Sequence, residues 1–163
     1  MQAKMLHEDS GHGTRGERTF ALIFETGEEV MAGLTGFARA HRITAGRFTA
    51  IGAFSAVMLG FFDWEEKHYK HIPLREQVEV LSLVGDIAQQ DEQATVHAHV
   101  VVGKSNGMAS GGHLLEAHVR PTLEVLLVES PSFLRRTIDP HHRWNRPHLD
   151  SGSHCLFRPG AGE

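Results

Sequence analysis

Thirteen of the 163 residues are histidines, and three of them fall in a pattern with chemical meaning. They lie in Val96-His97-Ala98-His99-Val100 and, beyond a short glycine- and serine-containing connection, in Gly111-Gly112-His113-Leu114. Side chains at i and i+2 of an extended strand share a face, so His97 and His99 stand about 7 Å apart along the backbone. Two neutral imidazoles so placed can share one metal ion. A third nitrogen from His113, arriving on the next strand, completes a three-histidine site with an open position, a donor set that suits zinc better than a hard cation. The competing reading is two ordinary polar residues on a solvated face, with Gly111 and Gly112 serving a turn or bulge that needs positive φ. Both can hold together, since a bulge can aim His113 at the site.

An open position accepts water or a carboxylate, and a zinc-bound water ionises near neutrality, which is the chemistry of hydrolysis or hydration. A general base is not assured by the sequence. Glu116 falls on the opposite strand face from His113, and Glu79 and Asp86 are the remaining neighbours to test. Ligand sensing and purely structural use are equally compatible with such a centre.

Elements that can position these histidines follow from the apolar pattern. Phe20-Ala21-Leu22-Ile23-Phe24 reads as a buried strand ending at Gly27. Thr26 with Glu29 forms a capping-box pattern, and Val30, Leu34, Phe37, Ala38 and His41 recur at helical spacing, so one amphipathic helix is expected over Glu28 to His41. After Gly46 the chain is strand-rich: Phe48 to Phe62, His68 to Ile72, Val78 to Ala88, Thr95 to Val102, His113 to His118 and Thr122 to Glu129. Short polar links separate them, among them Lys104-Ser105-Asn106-Gly107 with its hairpin dipeptide Asn-Gly. The expected fold class is therefore α+β, a twisted, mainly antiparallel sheet with one long helix packed on it. Residues 1–18 lack apolar periodicity and read as a flexible arm, 19–137 as the single compact domain, and 138–163 as a His-, Arg- and Pro-rich, partly mobile tail.

Several blocks in this order carry a family resemblance: Gly46-Arg47-Phe48-Thr49-Ala50-Ile51-Gly52-Ala53, Val78-Glu79-Val80-Leu81-Ser82-Leu83-Val84-Gly85, His97-Ala98-His99 and Gly112-His113-Leu114-Leu115-Glu116. Together, from about Phe20 to Arg136, they resemble the PPC domain, the domain conserved between plants and prokaryotes and found beside AT-hooks in plant nuclear proteins. The resemblance implies a compact α+β subunit assembled as a homotrimer. In prokaryotic members it implies a histidine-bound metal, zinc, with His97, His99 and His113 at the matching positions. It further implies a DNA-associated or transcription-associated regulatory module. The AT-hook itself is missing, because no Arg-Gly-Arg-Pro core occurs in the chain. The alternative function is a small zinc-dependent hydrolase or lyase using the same three histidines.

Charge and composition bear on these readings. Sixteen Lys and Arg against twenty Asp and Glu give a net charge of −4, so there is no broad attraction to phosphate backbones and DNA binding needs a local patch. Arg120, Arg135, Arg136, Arg143 and Arg146 are candidates for a basic edge, with a solvated face as the plainer reading. His141, His142 and His148 suggest a second metal site less well, because adjacent histidines in a strand point apart. A single cysteine, Cys155, excludes an internal disulfide, and neither a leader-like stretch nor a membrane-length apolar run occurs. A cytoplasmic protein without membrane contact is expected, with itself, DNA and a small anionic ligand at the metal as candidate partners. An apolar pattern on both faces of Phe48 to Phe62 agrees with self-association, which would cover the second face.

Overall fold

Alternating apolar residues between 46 and 129 build strands longer than the turn signals mark out. A computed structural model describes residues 1–9, 16–131, 134–138 and 145–148, with side chains excepted at 138 and 145–148. In chain order the elements are β1 (Gln2–Glu8), β2 (Arg18–Glu25), α1 (Val30–Ala40), β3 (Gly46–Asp63), β4 (His68–Leu74), β5 (Val78–Gln90), β6 (Gln93–Gly103), β7 (Ala109–Glu129), β8 (Arg135–Ile138) and β9 (Asn145–His148). The separate strands expected at His113 to His118 and Thr122 to Glu129 are one strand of 21 residues, β7. Pro121 is accommodated within it at an interruption of the ladder to β3, where its missing N–H leaves no bond unmade.

The architecture corrects the expected α+β class. β3 pairs with both β5 and β7, and β6 also pairs with both β5 and β7, so these four antiparallel strands close on themselves. β2 and β1 extend the sheet beyond β7, β4 lies on β3, and β8 and β9 continue from β5. Among the described residues, helix is confined to the 11 residues of α1. Glu28 and Glu29, the two further residues expected at its N-terminal side, are drawn to the sheet instead: the Gly27 N–H donates to the Val119 carbonyl, the Val119 N–H to that of Glu28, and Glu29 bridges to His118. Glu29, not Thr26, is then the N-cap, its carboxylate accepting from the Met31 and Ala32 amides. Within the stretch expected as a flexible arm, Gln2–Glu8 pairs antiparallel with β2. At the other end, β8 and β9 pair antiparallel with each other.

The core lies inside the closed strands and under the helix. Phe24, Phe54, Leu59, Leu83, Leu114, Leu123 and Leu127 are fully buried, and Val30, Leu34, Phe37 and Ala38 of α1 join them. Each such large side chain contributes about 1.5–3 kcal/mol of burial. Close packing of β5 between β3 and β6 requires Gly85: a Cβ there would lie 2.3 Å from Phe48 Cζ and 2.5 Å from the His97 carbonyl oxygen. This contact seats β6 at His97, where the candidate site begins. Asp91 and Glu92 make the two-residue turn before β6, both with positive φ (49° and 62°), an unusual filling of a position that Asn and Gly prefer.

Candidate metal centre

Strand periodicity delivers His97 and His99 to the outer face of β6, and the register of the next pair sets His113 of β7 directly opposite His99. The three rings then converge. Their centroids are 5.1 Å apart for His97–His99, 5.0 Å for His97–His113 and 5.3 Å for His99–His113. One nitrogen from each lies within 4.8 Å of the others. Gly111 and Gly112 are adjacent to this pairing for a different reason from the one expected: neither has positive φ. Gly112 is needed for space, because a Cβ there would stand 2.9 Å from the Gly60 carbonyl oxygen. A β-bulge does follow, as Leu59 pairs with Leu114 while Met58 pairs with Glu116.

Three further side chains complete the surroundings. Tyr69 of β4 stacks on His113 with centroids 4.8 Å apart and planes 27° from parallel. Asp86 of β5 is the register partner of His97, and its Oδ2 lies 3.8 Å from His97 Nδ1. Arg136 of β8 donates from Nη2 to Asp86 Oδ1, and the same nitrogen lies 3.3 Å from His97 Nδ1. A guanidinium can only donate, so that contact makes Nδ1 the accepting nitrogen of His97. When Nδ1 instead carries the ring proton, Asp86 Oδ2 is the acceptor at hand.

Electrostatics favour neutral His99 and His113 and a charged Asp86. Burial, with the positive potential of His97, His99 and Arg136 added, pushes the pKa of His113 down to about 4. Burial and then His97 lower that of His99 in the same direction. Burial pulls the Asp86 carboxyl upward, but hydrogen bonds from His97 and Arg136 and their charges outweigh it and hold the group below its ordinary value. Desolvation alone raises the Tyr69 phenol.

These residues fit a metal. Neutral imidazoles are the form that ligates, and three nitrogens would leave a tetrahedral ion one open position. His113 Nδ1 is buried with no hydrogen-bond partner among the described residues, an orphan that a ligated ion would satisfy. A carboxylate behind a ligating histidine, as Asp86 stands behind His97, is the usual orienting partner.

Other expected residues are placed elsewhere. Glu116 engages His118 at 2.8 Å, and Glu79 pairs with Gly103 at the far end of β5. The basic edge loses Arg136, which is buried at the cluster, while Arg120 is exposed. Arg143, His141, His142 and the side chains of Arg146 and His148 lie outside the described residues. Arg136 and Tyr69 are the functional neighbours the sequence reading missed. The alternation Leu134, Arg136, Ile138 was a signal for the first, since it puts Arg136 on one strand face with two apolar residues.

A closed antiparallel sheet carrying three convergent histidines on its outer face defines a small β-protein with a candidate metal centre. The chain belongs to the Plants and Prokaryotes Conserved (PCC) domain family, whose pattern matches residues 11–131. It is similar to the crystal structure of a plant- and prokaryote-conserved protein from Pyrococcus horikoshii, with 31% identity, 81% of this chain and 92% of that one covered, and a TM-score of 0.75. It is likewise similar to a metal-containing protein from Archaeoglobus fulgidus (31% identity, 78% and 91% covered, TM-score 0.73). A candidate DNA-binding protein from Ralstonia eutropha JMP134 shares 29% identity over 80% of this chain and 90% of that one, with a TM-score of 0.75. A curated relative, the bifunctional protein GlmU of Synechococcus sp. (strain JA-3-3Ab), is 28% identical over 136 residues; the match takes in 82% of this chain but spans only 21% of that protein's length. No helix of the described residues is long and apolar enough to cross a membrane.

Proposed function

We propose that the chain is a zinc-binding, homotrimeric assembly module of the PCC family, working as a DNA-associated regulatory binding protein and not as an enzyme. The convergence of His97, His99 and His113 carries this reading, supported by the metal-containing relative from Archaeoglobus. Zinc held by these residues supplies a cross-link between β6 and β7 and a Lewis-acidic open position for a ligand. Asp86 orients His97, and Tyr69 covers one face of His113.

Self-association is supported by the uncovered outer face. Ile51, Leu81, Val84, Val101 and Leu126 are each between 42% and 60% exposed there. The cross-strand row Leu126–Thr49–Val84–His99 makes the patch continuous with the histidines. Apolar surface of this extent on a sheet is what a second and third copy would cover.

Association with DNA rests on the description of the Ralstonia relative. With net charge −4 and Arg136 committed to Asp86, direct phosphate contact falls to exposed arginines such as Arg47 and Arg120. A gel-shift series on duplex DNA at low salt tests this part: binding that weakens steeply with salt is expected, and no shift at any protein concentration refutes it.

A binding role is preferred to hydrolase or lyase chemistry because the carboxylate at the cluster, Asp86, already accepts from Arg136. Replacing His99 by Ala separates the two. Loss of trimer and a lower melting temperature are expected here, whereas abolished turnover of an ester or a hydroxy acid with unchanged assembly would favour the enzyme.

A further inference from the structure

Arg136 is more deeply buried than its contacts explain. Its side chain is 3% exposed, and a guanidinium out of water is costly unless its donors are matched. Nη2 is matched by Asp86, but Nε is buried with no partner among the described residues. Nε and Nη2 belong to one edge of the guanidinium, the edge that takes a carboxylate through both oxygens. Asp86 offers that edge one oxygen; its other lies toward His97.

Ligation changes what this edge faces. The Arg136 contact needs a lone pair on His97 Nδ1. An ion bound at Nδ1 takes that lone pair, and an ion bound at Nε2 leaves the ring's single proton on Nδ1. Either way Arg136 Nη2 loses an acceptor beside the histidines, and the unpartnered Nε adds a second unmatched donor on the same edge.

We infer that the centre takes a small carboxylate monoanion, held jointly by the open metal position and the Nε/Nη2 edge of Arg136. The inference rests on the metal reading and names its ligand. Asp86, charged and hydrogen-bonded to the same guanidinium, disfavours a dianion such as phosphate through like-charge repulsion. The exposure of His99 leaves the site open to a ligand from solvent.

The test uses the full-length protein loaded with Co2+, whose visible spectrum reports its ligands. Uptake of one ion per chain is measured first, so failure of the metal reading, which would overturn both, is seen before any anion is added. Sodium acetate is then titrated into wild type and Arg136→Lys, with azide and phosphate as comparison anions. Acetate should perturb the wild-type spectrum saturably and bind at least about ten-fold more weakly to the variant, while azide changes by less than about three-fold. Phosphate should bind wild type more weakly than acetate. Equal acetate affinity in the two proteins, an equal loss for azide, tighter phosphate binding, or a folded variant that no longer loads metal each overturns the proposal. Should the variant fail to fold, the Arg136 Nε–H resonance of the zinc-loaded wild type decides: acetate must shift it, and an unmoved signal refutes the assignment.

Discussion

The two faces of strands β3, β5, β6 and β7 share one backbone and have opposite fates. Inward residues such as Phe54, Leu83, Val100, Val102 and Leu114 are sealed to between 0% and 2% exposure, whereas outward Ile51, Leu81, Val84 and Val101 remain 42–60% exposed. The inner face is complete within one chain, because closure of the sheet gives every apolar residue a partner. The outer face is unfinished, and it is there that the three histidines, Asp86 and Arg136 gather. Stability and function thus alternate residue by residue along β6: Ala98 and Val100 hold the core while His97 and His99 make the site.

The sharpest way to break this contrast is from the inside. Phe54→Ala should cost about 3–5 kcal/mol in urea unfolding, since the ring is fully buried and the cavity cannot collapse in a closed sheet. On the outer face Leu81→Glu should instead leave the unfolding free energy of the monomer within about 0.5 kcal/mol while reducing the mass in solution to that of one 18.1 kDa chain. A Leu81→Glu protein that remains trimeric would place the interface elsewhere. At the cluster, Asp86→Asn removes the charged acceptor behind His97 and should weaken zinc about 10–100-fold in competition with a chelator. The smallest effect lies at the end of β3. Asp63 is held at a pKa of about 2 by the Lys70 ammonium and by backbone amides of Glu66 and Glu65. A carboxyl lowered on folding stabilises above its unfolded pKa, and that contribution is lost as pH falls through the folded value. Lys70→Gln should therefore return the Asp63 titration, followed by NMR, toward the ordinary carboxylate range, with little change in stability at neutral pH because Lys70 is exposed to solvent.

Legibility in the sequence divides along the same line. Strands β2, β3, β5 and β6 could be read because each has a core face that imposes alternation, and His97 with His99 could be read because i, i+2 fixes their face. β1 could not: all seven of its residues are exposed, so no apolar pattern marks Gln2–Glu8 as a strand. Helix length was overestimated because Thr26 and Glu29 satisfy a capping rule that the backbone bonds of Gly27 and Glu28 to Val119 override. Closure of the sheet was hidden for a more general reason. It depends on pairing β6 with both β5 and β7, and on register between distant segments, which local periodicity does not encode. Arg136 reaches Asp86 across 50 residues of sequence, so its place at the site follows from topology alone.

Zinc content tests the central claim most directly. Purified protein, dialysed against zinc and then against buffer, should retain one equivalent per chain by elemental analysis, and His113→Ala should retain essentially none while keeping its far-ultraviolet circular dichroism. A wild-type chain that holds no metal, or a His113→Ala chain that holds as much, would contradict the account.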